Sequence, residues 1–176
     1  LWLIVASVVI VYFVLSFRED SKTRNKMFIA FVLMIEGVIF FTLYQQMPTS
    51  LNFFAIHNVT PTILGIKVDP VSFQTLNPFW IVVMSPILSI LYNKFGSNKK
   101  DFKITTKFAF GIFLCSIAFL SLFFTPYFAD KFGFVSSGWL VLFYFFQSTG
   151  ELLVSALGVA MVAELVPEKL TGLVMG

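Results

Sequence analysis

The stretch "FFQSTGELLVSALG", residues 145–158, lies inside a run, 139–166, whose only formal charge before Glu164 is Glu151. That run decides the fold class. A helix rises about 1.5 Å per residue and the hydrocarbon core of a bilayer takes about 20 apolar residues, so the run is long enough to cross, with Glu151 near its middle. From there the carboxylate cannot reach water, and an intramembrane charge costs about 2.5–3.5 kcal/mol even on insertion scales. Such a group calls for a partner.

The rest of the chain has the same character. Of its 176 residues 58% are hydrophobic, 24 are Phe and only 12% are charged, with a mean hydropathy of +0.90; soluble domains carry roughly a quarter charged residues. Further apolar runs at 1–17, 27–47, 71–92 and 108–128 give, with 139–166, four full spans and a shorter first one, and "KLTGLVMG" (169–176) opens another. The reading is an all-α integral membrane protein. The first run has no Met, no basic leader and no small-residue cleavage site, so Leu1 reads as an internal residue and the chain as a piece of a longer multi-pass protein.

Basic residues set the orientation, because Lys and Arg collect in short cytoplasmic loops. Arg18, Lys22, Arg24 and Lys26 fall in the first loop, Lys94, Lys99, Lys100, Lys103 and Lys107 in the third, and Lys169 after the last full span; Lys67 and Lys131 alone occupy the second and fourth. Ten against two makes the first, third and last segments cytoplasmic, which accounts for the basic balance without nucleic acid. The long outside segment 47–78 is half apolar, so the second span continues as helix beyond Met47 until Asn58, Thr60 and Pro61 interrupt it, and "VTPTILGIKVDP" (59–70) forms a small hairpin.

Little here points to an enzyme. Neither H-E-x-x-H nor G-x-S-x-G occurs, Cys115 is the only cysteine and His57 the only histidine, so no metal, cofactor or disulfide is expected. The polar residues at membrane depth carry the chemistry. Gln147, Glu151, Ser155 and Gly158, with Gly150, Ala156 and Ala160 beside them, form a stripe suited to a watery cavity or to a neighbouring helix. In the third span Asn77 precedes Pro78, either as a helix cap or as a ligand contact, and Ser85 precedes Pro86. Tyr44, Gln45 and Gln46 offer hydrogen-bonding groups in the outer half of the second span. Glu36, nine residues before Gln45, points to the other side of that helix and toward a basic partner or the cytoplasmic interface.

Together "LYQQMPTSLNFFAIHNV" (43–59), "QTLNPFWIVVMSPILSILYNK" (74–94) and "FQSTGELLVSALGVAMVAELVP" (146–167) resemble the seventh, eighth and tenth transmembrane helices of the proton-dependent oligopeptide transporters, in the branch of the bacterial dipeptide and tripeptide permeases. The resemblance covers essentially the whole chain. It implies a major facilitator superfamily fold: residues 1–20 end the helical hairpin between two bundles, and 21–176 form a partial C-terminal six-helix bundle, family helices seven to ten and the start of eleven. It also implies symport of di- and tripeptides with protons across a bacterial inner membrane, in concert with an N-terminal bundle not in these residues.

Glu151 then matches the tenth-helix glutamate that meets the peptide's amino end or, without peptide, a basic residue of the other bundle, and it takes part in proton coupling. Asn77 matches the eighth-helix asparagine reaching the same amino group. Tyr44, Gln45, Gln147 and Ser155 complete the expected substrate contacts. The pattern departs from the wider family at Gln45, where many members carry Glu, and at Ala156, where other branches have Pro. Rival readings are a major facilitator transporter of another small solute and a structural or channel-like subunit that uses Glu151 between helices.

Overall fold

The computed structural model describes residues 2–63, 65–97 and 104–167, without side chains at 4, 95–97, 104 and 156–164; the expected opening of another helix at 169–176 lies outside them. Among the described residues six α-helices follow in order: α1 (Trp2–Phe17), α2 (Ser21–Tyr44), α3 (Asn52–Asn58), α4 (Leu76–Ser97), α5 (Ile104–Phe123) and α6 (Gly138–Leu165). Among the described residues three helical stretches are long and apolar enough to cross a membrane: Ser21–Asn58, Pro70–Lys94 and Thr105–Phe123.

The charged joint after α1 is short because Asp20 starts the next helix. Its carboxylate accepts from Lys22 N at 3.1 Å and Thr23 N at 3.4 Å, satisfying two amides that a helix N-terminus otherwise leaves open. α2 thus begins at Ser21, six residues before the apolar run. α1 folds back on it: Tyr12 Oη donates to Met27 O at 2.7 Å, and Phe13 packs edge-on against Phe31 at 4.7 Å.

Beyond Tyr44 the helix continues, as expected, but through a π-turn at Met47–Leu51, where Leu51 N donates to Gln46 O at 2.8 Å. Pro48 is the cause, since its ring removes an N–H and crowds the carbonyl one turn back, and the extra residue per turn absorbs the misfit. α3 ends at Asn58, and the predicted hairpin forms as β1 (Thr62–Ile63) and β2 (Ile66–Lys67) around Gly65, whose φ of +83° suits a residue without Cβ. The loop from α5 to α6 is tied to this segment. Val59 and Val135 form a parallel bridge, Thr60 N donates to Val135 O at 2.9 Å, Val135 N to Asn58 O at 2.8 Å, and Ser137 Oγ to Thr62 O.

α6 runs through the centre, packed on α5, α4 and α2. Its contact with α5 is backbone on backbone: a Cβ at Gly150 would stand 2.8 Å from Gly111 O, and one at Gly111 would stand 3.1 Å from Gly150 O and 2.8 Å from a Val154 methyl. Small residues permit this approach where lipid supplies no hydrophobic drive between helices. Two apolar clusters flank it, one around Met27, Phe40, Phe108, Cys115 and Val154, the other around Met47, Phe73, Leu140, Phe143 and Tyr144.

Candidate functional site

Three helices bring polar side chains to one point. Tyr44 is the last residue of α2, Asn77 the second of α4, and Ser148 and Glu151 lie three residues apart on α6, hence on one face of it. Asn77 Nδ2 donates to Tyr44 Oη at 3.3 Å, and Ser148 Oγ donates to Asn77 Oδ1 at 2.5 Å. The Glu151 carboxyl lies beside both the Asn77 amide and the Tyr44 hydroxyl, and its Oε2 is buried without a hydrogen bond. Asn77 does not cap α4. Its side chain reaches sideways to α2 and α6, so the asparagine before Pro78 works between helices.

The four residues differ in exposure in an informative way. Ser148 is fully buried behind the group, whereas Tyr44, Asn77 and Glu151 are only partly buried. Glu151 stands midway along the 28 residues of α6.

Other residues singled out from the sequence are placed elsewhere. Gln147 is fully buried and turned to Cys115 on α5, with neither Oε1 nor Nε2 in a hydrogen bond. Ser155 is exposed and its hydroxyl returns to Glu151 O at 2.6 Å. The presumed single stripe thus spreads across two faces, because each step of four residues overshoots a turn by about 40°, leaving Gln147 and Ser155 about 80° apart. Gln45 is exposed in a surface groove with Met34, Gly37, Val38, Phe41 and Thr42, away from Tyr44's partners. Glu36 lies between α2 and α5 among Phe28, Ile29, Val32, Leu33, Thr105 and Ala109; its Oε2 is buried, and among the described residues no hydrogen-bond partner meets it and no basic side chain lines that groove.

Ser148 is the member that sequence reading passed over. Its signal was its spacing of three from Glu151, which puts the two side chains on one face. Chemically the group offers one carboxylate, hydroxyls and an amide; among the described residues no cluster of three His, Cys, Asp or Glu exists to hold a metal. A carboxylate beside neutral hydrogen-bonding groups suits a cationic ligand, since charge-assisted hydrogen bonds are about twice as strong as neutral ones. His57, stacked on Phe53 at 4.1 Å and bonded to Phe53 O at 2.9 Å, lies apart in α3.

A family model described as "POT family" matches residues 3–176. Over 176 residues the chain is 53% identical to dipeptide and tripeptide permease B of Xenorhabdus bovienii, with 100% of this chain and 36% of the relative aligned. It is 55% identical over 176 residues to the protein of that name from Salmonella typhimurium, 99% of this chain and 36% of the relative. It thus spans about a third of the length of these relatives. Its fold is similar to a crystal structure of a peptide transporter POT in complex with sulfate, with a TM-score of 0.83 and 26% identity over 97% of this chain and 35% of that one. A structure described under substrate recognition in proton dependent oligopeptide transporters matches with a TM-score of 0.75 and 35% identity over 96% of this chain and 33% of that one.

Proposed function

The chain belongs to the POT family, and from that premise we propose that it supplies most of the C-terminal half of a symporter that carries di- and tripeptides with protons. Residues 1–20 then end the hairpin linking two six-helix bundles of a major facilitator fold, and 21–176 form family helices seven to ten and the start of eleven. The membrane is the bacterial inner membrane, and the ten basic residues against two assign its cytoplasmic face.

The observation that carries the reading is the convergence of Tyr44 and of Asn77, itself bonded to Ser148, on Glu151 from three helices. A peptide's terminal ammonium entering a poorly hydrated cavity needs a fixed opposite charge, since an isolated buried charge is strongly disfavoured. Glu151 is that charge, with the Tyr44 hydroxyl and the Asn77 amide ordering it. Gln45, Gln147 and Ser155 belong to this proposal as pocket residues by the family pattern; their side chains lie outside the Tyr44, Asn77 and Ser148 group. Coupling follows from competition. Without peptide, Glu151 pairs with a basic residue of the other bundle; protons entering the cavity change that pairing, and the peptide amine competes for the same carboxylate.

Removing one member of a buried ion pair costs about 3–5 kcal/mol. In the complete protein Glu151→Gln therefore abolishes proton-driven uptake, and near-normal accumulation by that variant refutes the assignment. Di- and tripeptides compete for uptake and free amino acids do not; the reverse pattern favours a different small solute.

A further inference from the structure

Ser148 is fully buried, and its hydroxyl is spent on the carbonyl oxygen of a single side chain, Asn77. An asparagine amide presents a donor face and an acceptor face of nearly equal shape, and only its partners decide which way it turns. With Ser148 donating to Oδ1, Nδ2 is left facing Tyr44, to which it donates, and the Tyr44 hydroxyl in turn lies beside the Glu151 carboxyl. The donors therefore point along one direction, from Ser148 through Asn77 and Tyr44 toward Glu151. The Asn77 amide also lies directly beside the Glu151 carboxylate, which only accepts, so its donor face is held toward Tyr44 and Glu151 while its oxygen is left to Ser148.

We propose that Ser148 is a positioning residue of the cation site, anchoring the Asn77 side chain from behind so that the amide and the Tyr44 hydroxyl meet the Glu151 carboxylate and leave it the acceptor that greets an incoming ammonium. No proton passes along this chain; the hydroxyls and the amide only keep their orientation. The role rests on the reading of Glu151 as the ammonium ligand. It explains a serine at a position where apolar packing alone would be met by alanine.

The test uses the complete transporter in liposomes with dialanine as probe. Ser148→Ala removes one oxygen and leaves the packing intact. The Asn77 carbonyl then lacks its buried partner, and KM rises about tenfold, the effect of one poorly paired buried polar group, while Vmax per folded protein is unchanged. Because Ser148 acts through Asn77, the rise disappears when Ser148→Ala is made in an Asn77→Ala background. An unchanged KM overturns the proposal. So does a rise that multiplies with that of Asn77→Ala, or a fall in Vmax alone, which marks a merely structural role. Glu151→Gln measured in parallel separates the two levels: if it transports normally, the ammonium reading itself fails and this proposal with it, whereas lost uptake beside a silent Ser148→Ala sinks the Ser148 role alone.

Discussion

Glu151 lies beside Tyr44 and Asn77, and each neighbour has a separable effect. Tyr44 brings both an aromatic ring, packed near Phe40 at 6.3 Å, and a hydroxyl that accepts from Asn77. Tyr44→Phe keeps the ring and deletes the hydroxyl, so the protein folds normally and the KM for a dipeptide rises about five- to thirtyfold, the range of one hydrogen bond to a charged or buried group. Initial-rate uptake across substrate concentrations checks this, and an unchanged KM would remove Tyr44 from the site. Polar residues stranded in apolar runs were legible in the sequence, which is why Tyr44, Asn77 and Glu151 stood out there. Ser148 did not, because a hydroxyl inside a span can return to its own helix backbone, as Ser155 does.

At the scale of elements, the contact of α5 with α6 sets the rotation of α6 and with it the aim of Glu151. Gly150→Ala would drive a methyl to 2.8 Å from Gly111 O, a backbone atom that cannot swing aside. The helices separate, stability falls by about 1–3 kcal/mol, and peptide affinity falls with it because Glu151 is the next residue. Thermal unfolding of the purified full-length protein together with dipeptide binding measures both; an unshifted melting curve would mean the helices are not in contact at this point. Hydropathy placed the three spans found among the described residues, since length and apolarity are what a bilayer selects. It could not tell which way each helix faces. α6 is apolar around most of its circumference, and a helix without a polar side carries no mark of its rotation, so Gln147 joined a stripe that the structure divides. The π-turn after Tyr44 was also hidden, because Pro48 signals a break and does not say that an added residue will mend it.

For the whole molecule, the strand-like tie between Val59 and Val135 closes the face that the basic residues assign to the outside. Ile66 on the hairpin is 69% exposed, so Ile66→Cys in the complete protein reacts with an impermeant thiol reagent applied outside intact cells. A cysteine at Lys22 stays protected until the membrane is opened. Labelling of Lys22→Cys and not of Ile66→Cys from outside would invert the topology. The chain spans about a third of the length of its relatives. The claim that everything turns on is that the Glu151 carboxylate holds the peptide's ammonium. It is tested most directly by comparing the affinity of the complete protein for a dipeptide and for its N-acetylated form, in the wild type and in Glu151→Gln. The wild type should favour the free amine by about a hundredfold, corresponding to about 3 kcal/mol for a charge-assisted contact, and Glu151→Gln should lose that preference. A preference of undiminished size in Glu151→Gln would contradict the account.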